Sequence, residues 1–383
     1  MPRIPRKHLF DPAEVGVYHC INRCVRRAFL CGYDPLTGMC FDHRKEWIQA
    51  RLEFLAAQFG VDVLGFAVMG NHLHVVVRNR PDVVQAWSDT EVARRWWKVF
   101  PSRRGESGQP EEPSKSELQM IKADAARLAV IRDRLSSLSW FMRCLAEPIA
   151  RSANQEDQCT GRFWEGRYKC QPVLDESALV ACLAYVDLNP IRARLAETPE
   201  ASRFTSVFER IQTLHFNSKH AINLDVKDCA EPDDDEDARA DTAAAQPQTC
   251  LGAMRSNQRS ASGGAGSAWL SPFELSEVAA AEPVPAARAS NMGCLPMCFS
   301  DYLLLLDWTG RQLLLGNRGT VPAEPAPIPE RLQVTSDGWL RLVQDFSRLF
   351  RRAAGTPASL RRDADKWGRR RASGISQSRA VFA

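Results

Sequence analysis

His72 and His74 stand one residue apart in the run Gly65 to Arg78, GFAVMGNHLHVVVR. The β-branched residues Val75, Val76 and Val77 that follow favour a strand, and strand side chains alternate faces. The two imidazoles therefore point one way, and Leu73, Val75 and Val77 point the other way into apolar packing. Two imidazoles side by side suit a divalent metal ion. The same spacing suits two satisfied or solvent-facing histidines on a half-buried strand, and a motif this short leaves both readings open.

A metal on two histidines needs a further ligand and a reacting group. Among the five tyrosines, Tyr185 is set apart by Asn189, four residues on in AYVDLNP. On a helix the two share a face. The amide oxygen of Asn189 would then complete a His-His-Asn site with the Tyr185 hydroxyl beside it. Pro190 counts against this, because the residue before a proline disfavours helical geometry. A phenol with an ordinary pKa near ~10 is a poor nucleophile at neutral pH. It succeeds when its target is held in line and the developing charge is neutralised.

A second constellation lies in Gly161 to Gln171, GRFWEGRYKCQ, where Arg162, Arg167 and Lys169 mix with Phe163, Trp164 and Tyr168. Cations hold phosphates and rings stack on bases, so the mix suits a nucleic-acid backbone. Val83 to Phe100 sets Trp87, Trp96 and Trp97 among Arg94, Arg95 and Lys98. That run fits either nucleic-acid stacking or an amphipathic helix with tryptophans inside and arginines out. The basic tail from Arg361 fits either a phosphate-binding arm or a solvated end.

These side chains need elements to hold them. Val15 to Arg23 alternates as a first strand. Arg44 to Phe59 has helical apolar spacing, with Gly60 as its C-cap. Val61 to Val68 and Asn71 to Arg78 read as two strands. Strand, helix, strand, strand opens a split α/β sandwich on an antiparallel sheet. Leu138 to Ala153 and Ser177 to Leu188 read as helices, the second capped by Asp175 or Ser177. A last short helix ends near His215. At 383 residues the chain exceeds one ordinary domain. Three regions are expected: 1–217 as the principal α/β domain, 218–296 as a low-complexity, disordered linker, and 297–383 as a small, mostly helical C-terminal domain with a basic tail. The linker reading rests on the acidic run Asp233 to Asp237 and on Ala, Gly, Ser, Pro and Gln from Ala238 to Ala289.

Net charge is only +4, too mild to prove a nucleic-acid partner. MPRIPRKHLF holds no apolar run of signal-peptide length, and Leu303 to Leu306 is far too short to span a bilayer. The expectation is a cytoplasmic protein without a membrane partner, nucleoid-associated when bound to DNA. Its twelve cysteines are scattered and expected reduced. No spacing among them suits a structural zinc.

The blocks MGNHLHVVV, GRFWEGRYKCQPV and AYVDLNPIRARL, in that order, resemble the single-tyrosine HUH transposases, in particular the REP-associated tyrosine transposases. The resemblance runs from about Tyr18 to Val207, with YHCINR near its start and Asn154 before the second block. It implies an α/β (α+β) fold with a ferredoxin-like antiparallel sheet and packed helices. It implies a Mg²⁺ or Mn²⁺ cofactor and single-stranded DNA with hairpin structure as substrate. Carried over, His72 and His74 match the histidine pair, Tyr185 the nucleophile and Asn189 the third polar ligand. Arg162, Trp164, Arg167, Lys169 and Arg192 are the expected DNA contacts. The chain departs from the family between Arg78 and Leu138 and beyond Val207. The expected activity is DNA cleavage and joining through a 5′-phosphotyrosine. The alternatives are a non-cleaving nucleic-acid-binding regulator and a metal-dependent hydrolase that uses water.

Overall fold

The computed structural model describes residues 11–25, 30–34, 38–106, 110–227, 268–277, 282–315, 332 and 334–382. The chain divides into two compact units, one of residues 1–209 with 268–383 and one of residues 210–267. Among the described residues, the second unit comprises the later turns of a helix that begins at Ser206.

The principal unit is built on four antiparallel strands: β1 (Gly16–Arg23), β2 (Val61–Val68), β3 (His72–Asn79) and β4 (Lys169–Val173). Their spatial order is β2-β3-β1-β4. Helix α1 (His43–Ala56) joins β1 to β2. Between β3 and β4 come α2 (Pro81–Ala86), α3 (Asp89–Val99), α4 (Lys115–Lys122), α5 (Ala125–Leu135) and α6 (Leu138–Glu156). With α6 as the second crossover this is the expected ferredoxin-like β-α-β-β-α-β arrangement. The segment departing from the family, 79–137, folds mainly as α2 to α5. Helix α3 is amphipathic: Trp97 is buried and donates its indole N–H to Glu111 O at 2.9 Å.

Alternation sorts the sheet into two faces. Tyr18, Cys20, Leu73, Val75 and Val77 join one core with Ile48, Leu52 and Leu55 of α1 and Phe141 and Leu145 of α6. The opposite face carries His19, His72 and His74, and is met by α7 (Glu176–Asp187). Asp175 caps α7 by accepting from Ala178 N at 2.9 Å. Gly65 permits close approach of this helix, since a Cβ there would lie 2.6 Å from Leu183 Cδ2. Gly60 is not the C-cap of α1, which ends at Ala56. A Cβ at Gly60 would sit 2.1 Å from Val84 Cγ2 and 2.9 Å from Arg80 O, so its role is close packing under α2.

After α7 come α8 (Asn189–Arg192), α9 (Ser206–Lys227), α10 (Phe299–Leu315), α11 (Ser336–Leu349), α12 (Pro357–Lys366) and α13 (Ile375–Arg379). Residues 268–383 share one compact unit with the sheet, and they cover both of its edges. Ser271 N donates to Val63 O of β2 at 2.9 Å, and Ala354 N donates to Pro172 O of β4 at 2.8 Å. Open edges invite pairing with other chains, so this cover protects the sheet.

The expected linker over 218–296 therefore stops too late. Residues 228–267 and 278–281 lie outside the described residues, but Trp269, Leu270 and Leu295 are fully buried. Arg78 anchors this segment. Its guanidinium donates to Asp62 Oδ2 at 2.9 and 2.7 Å, to Gly293 O at 2.8 Å and to Met292 O at 2.5 Å. A low-complexity composition says nothing of where a single tryptophan or arginine will anchor the chain. No helix among the described residues is long and apolar enough to cross a membrane.

Candidate active site: three histidines and a covered tyrosine

The His72–His74 side of β3 faces a cleft of about 590 Å³, whose lining includes His19, Tyr185, Arg167, Lys169 and Arg351. The rings of His72 and His74 lie 4.7 Å apart between centroids. Tyr185 sits edge-on to His74, with centroids 5.6 Å apart. One turn of α7 and one strand face thus bring together the phenol and the imidazole pair.

His19 was not singled out by its sequence context, and it is part of the site. It stands on β1, one strand from His74, where the register pairs His74 with Ile21. The His19 ring stacks on His74 at 5.1 Å, and His19 Nε2 lies 2.8 Å from His74 Nδ1. The signal was present: alternation in VGVYHCINR puts His19 and Ile21 on one face, and pairing of β1 with β3 makes that face the histidine face.

The hydrogen bonds select a tautomer. His72 donates from Nδ1 to Asn71 Oδ1 at 2.6 Å, which leaves its Nε2 as an acceptor. His74 has Nδ1 engaged by His19, while its buried Nε2 has no partner. His72 thus keeps Nε2 for an acceptor's role, as a metal ligand requires, and His74 does so in the tautomer that donates from Nδ1 to His19. Burial, then Arg23, Arg192 and Lys169, hold His72 down at about 4. Burial chiefly holds His19 down at about 4, and His74 well below its ordinary range. All three are neutral at pH 7.

The imidazole pair fits a divalent ion as two of its ligands. Among the described residues no group of three or more His, Cys, Asp or Glu is placed to hold a metal ion. Among the described residues, a third protein ligand would have to be an amide oxygen or another weaker donor. Asn189 opens α8 one turn after Tyr185 and is buried. Its Oδ1 accepts from Arg192 Nη1 at 3.4 Å, and it is absent from the cleft lining.

The expected DNA contacts separate into two groups. Arg162, Arg167 and Lys169 are exposed. Trp164 is buried, donating its indole N–H to Ala146 O at 2.8 Å and packing against Phe163. Arg192 lies 4.5 Å from the Tyr185 ring centroid and donates to Gln344 O of α11 at 3.0 Å. It is half-buried and packs over the tyrosine ring.

Helix α11 forms the remaining wall. Phe346 stacks on Tyr185, and Tyr185 is only 6% exposed. The Gln171 side chain donates to Phe350 O, tying β4 to the end of α11. Every residue of α7 from Ala178 to Asp187 is buried. A helix apolar on all sides must be covered on both, here by the sheet and by α11.

No family model and no curated protein matches this chain. Among solved structures it is similar to one titled "Structure of the REP associates tyrosine transposase bound to a REP hairpin". That likeness has 9% sequence identity, covers 54% of this chain and 82% of that one, and has a TM-score of 0.31. It is a distant structural relationship.

Proposed function

We propose that this protein cleaves and rejoins single-stranded DNA containing hairpin structure, with Tyr185 as the nucleophile. One observation carries the reading: Tyr185, His72 and His74 share one cleft whose open side is lined by Arg167, Lys169 and Arg351. The ordered sequence blocks add the transposase reading, in which the reaction moves a DNA segment.

Arg167 and Lys169 bind the strand through its phosphates and hold the scissile group in the cleft. His72 and His74, with Asn189 as the candidate third donor, would hold Mg²⁺ or Mn²⁺, which supplies charge neutralisation at the scissile phosphate and at the leaving oxygen. The Tyr185 oxygen attacks phosphorus, the bond to the 3′-oxygen breaks, and a 5′-phosphotyrosine forms. The phenol proton passes to solvent, and the departing 3′-oxygen takes up a proton to become a hydroxyl. Attack by a 3′-hydroxyl reverses these steps, so the same residues join strands. Arg192 holds the phenol ring in place throughout. Incubation of a hairpin-bearing single strand with the protein and Mn²⁺ is expected to yield a covalent adduct that Tyr185→Phe abolishes. An adduct that survives Tyr185→Phe removes Tyr185 from the mechanism.

A second reading is a regulator that binds DNA without cutting it. Burial of Tyr185 beneath Phe346 favours it. Tight binding with no adduct across varied hairpins would decide for it.

A further inference from the structure

The face of the sheet opposite Tyr185 carries a second cleft, between α1, the end of α3 and α6. Its volume is about 700 Å³, and it shares no lining residue with the tyrosine cleft. Five cations line it, Arg51, Lys98, Arg104, Arg143 and Arg151, against one carboxylate, Glu147. Glu147 pairs with Arg143 at 3.1 Å and with Arg151 at 3.7 Å, and Lys98 pairs with Glu112 outside the lining at 3.3 Å, so cations still outnumber carboxylates around the cleft. Burial, then Arg104 and Arg151, lower the Arg51 pKa from its ordinary value, as expected where cations face one another. Trp47, Phe54 and Phe100 stand among these cations, and Phe100 is 42% exposed.

A third groove adjoins both clefts. It has a volume of about 740 Å³ and shares Gly166 and Arg167 with the tyrosine cleft, and Arg143 and Glu147 with the basic cleft. Trp140 lines this groove, and its ring lies 6.2 Å from that of Phe100. Cations and rings thus continue from one face of the sheet to the other. Cations that track a backbone and rings that take unpaired bases are what a single strand requires. A duplex would not present its base faces to Phe100 or Trp140.

We propose that the cleft between α1, α3 and α6 is a second binding site for single-stranded DNA, holding the part of the strand that the Arg167 groove leads away from Tyr185. The ligand class rests on the function proposed above, but strand cleavage is not required. Lys98, Phe100 and Arg104, which line one side of the cleft, lie within the segment where the chain departs from the family it resembles.

The test uses full-length Tyr185→Phe protein and fluorescence anisotropy over a range of salt. Two labelled single strands serve as probes: one of about 25 nucleotides, longer than a single ~4–16-nucleotide site, and one of about six. The combined change Arg104→Gln, Arg143→Gln, Arg151→Gln alters only exposed side chains. It should weaken the long strand about tenfold or more and make its log–log salt slope shallower by about 2, at ~0.7 per phosphate contact. Affinity for the short strand should stay unchanged. Phe100→Ala should weaken the long strand about fivefold or more with no change in slope. Unchanged affinity and slope for the long strand overturns the proposal, as does an equal loss for a blunt duplex of the same sequence. If wild-type protein forms no covalent adduct while the slope change is intact, the cleft is supported and only the nucleophile falls.

Discussion

The ring of Phe346 lies 5.5 Å from that of Tyr185, with the two planes 29° apart. A helix from the last fifth of the chain therefore covers the residue whose hydroxyl would have to reach a phosphate in the proposed reaction. Strand entry requires either a shift of α11 or approach along the open side lined by Arg167 and Lys169. Phe346 is fully buried, so Phe346→Ala should cost about 3–5 kcal/mol of stability. It should also speed chemical nitration of Tyr185 in protein that remains folded. Nitration at the wild-type rate would mean that Phe346 does not shield the phenol.

His19 orients His74 through the 2.8 Å contact between their ring nitrogens. Removing a group that orients a metal ligand typically lowers metal affinity about 10–100-fold. His19→Ala is expected to weaken Mn²⁺ binding by that order in a spin-resonance titration, with His19→Gln restoring part of it. Equal affinity in wild type and His19→Ala would leave His19 a packing residue.

Stability of the metal-free protein should depend on pH in a defined window. His19 and His72 move from the ordinary 6.5 to about 4 on folding. As pH falls below 6.5 the unfolded chain takes up protons that the folded chain refuses, which favours unfolding. The stabilisation is complete above about pH 6.5 and is lost as pH falls through about 4. Urea midpoints in metal-free protein should therefore hold from pH 7.5 to about 6.5 and decline from there to pH 4.5. His19→Gln should flatten part of that decline. A flat wild-type profile would show that these imidazoles are protonated in the fold.

Asp62 carries the attachment of residues 268–296. It accepts from Arg78, Arg80 and Ser290, and its side chain is 1% exposed. Removing one partner of a buried ion pair costs about 3–5 kcal/mol, because the other charge is left without compensation. Asp62→Ala should lose that much in urea unfolding and expose 268–296 to protease. A loss under about 1 kcal/mol would show that water or backbone replaces the carboxylate.

The four strands and the helices that hold the site were legible because apolar alternation and helical spacing are local signals. His72, His74 and Tyr185 follow from them, and the structure brings the three together. His19 was not, because its role depends on β1 pairing beside β3 in one particular register. Residues 297–383 were read as a separate domain because Ala, Gly, Ser, Pro and Gln dominate from Ala238 to Ala289, which reads as a linker. Yet Trp269 and Arg78 fix that end of the chain to the sheet. The clue lay in ALVACLAYVDL, a helix with no polar side, which has to be covered twice. Trp164 and Arg192, expected as DNA contacts from residue type, also have partners inside the fold that residue type does not reveal: the indole donates to Ala146 O and the guanidinium lies over the Tyr185 ring.

Peptide mapping of the covalent complex tests the central claim most directly. Trypsin cuts after Lys169 and Arg192, so Tyr185 lies alone among tyrosines in the peptide 170–192, apart from Tyr168. After reaction with a hairpin-bearing single strand and Mn²⁺, then nuclease digestion, that peptide should carry a 5′-phosphonucleotide. A nucleotide on the fragment holding Tyr168, on any other peptide, or on none would contradict the account.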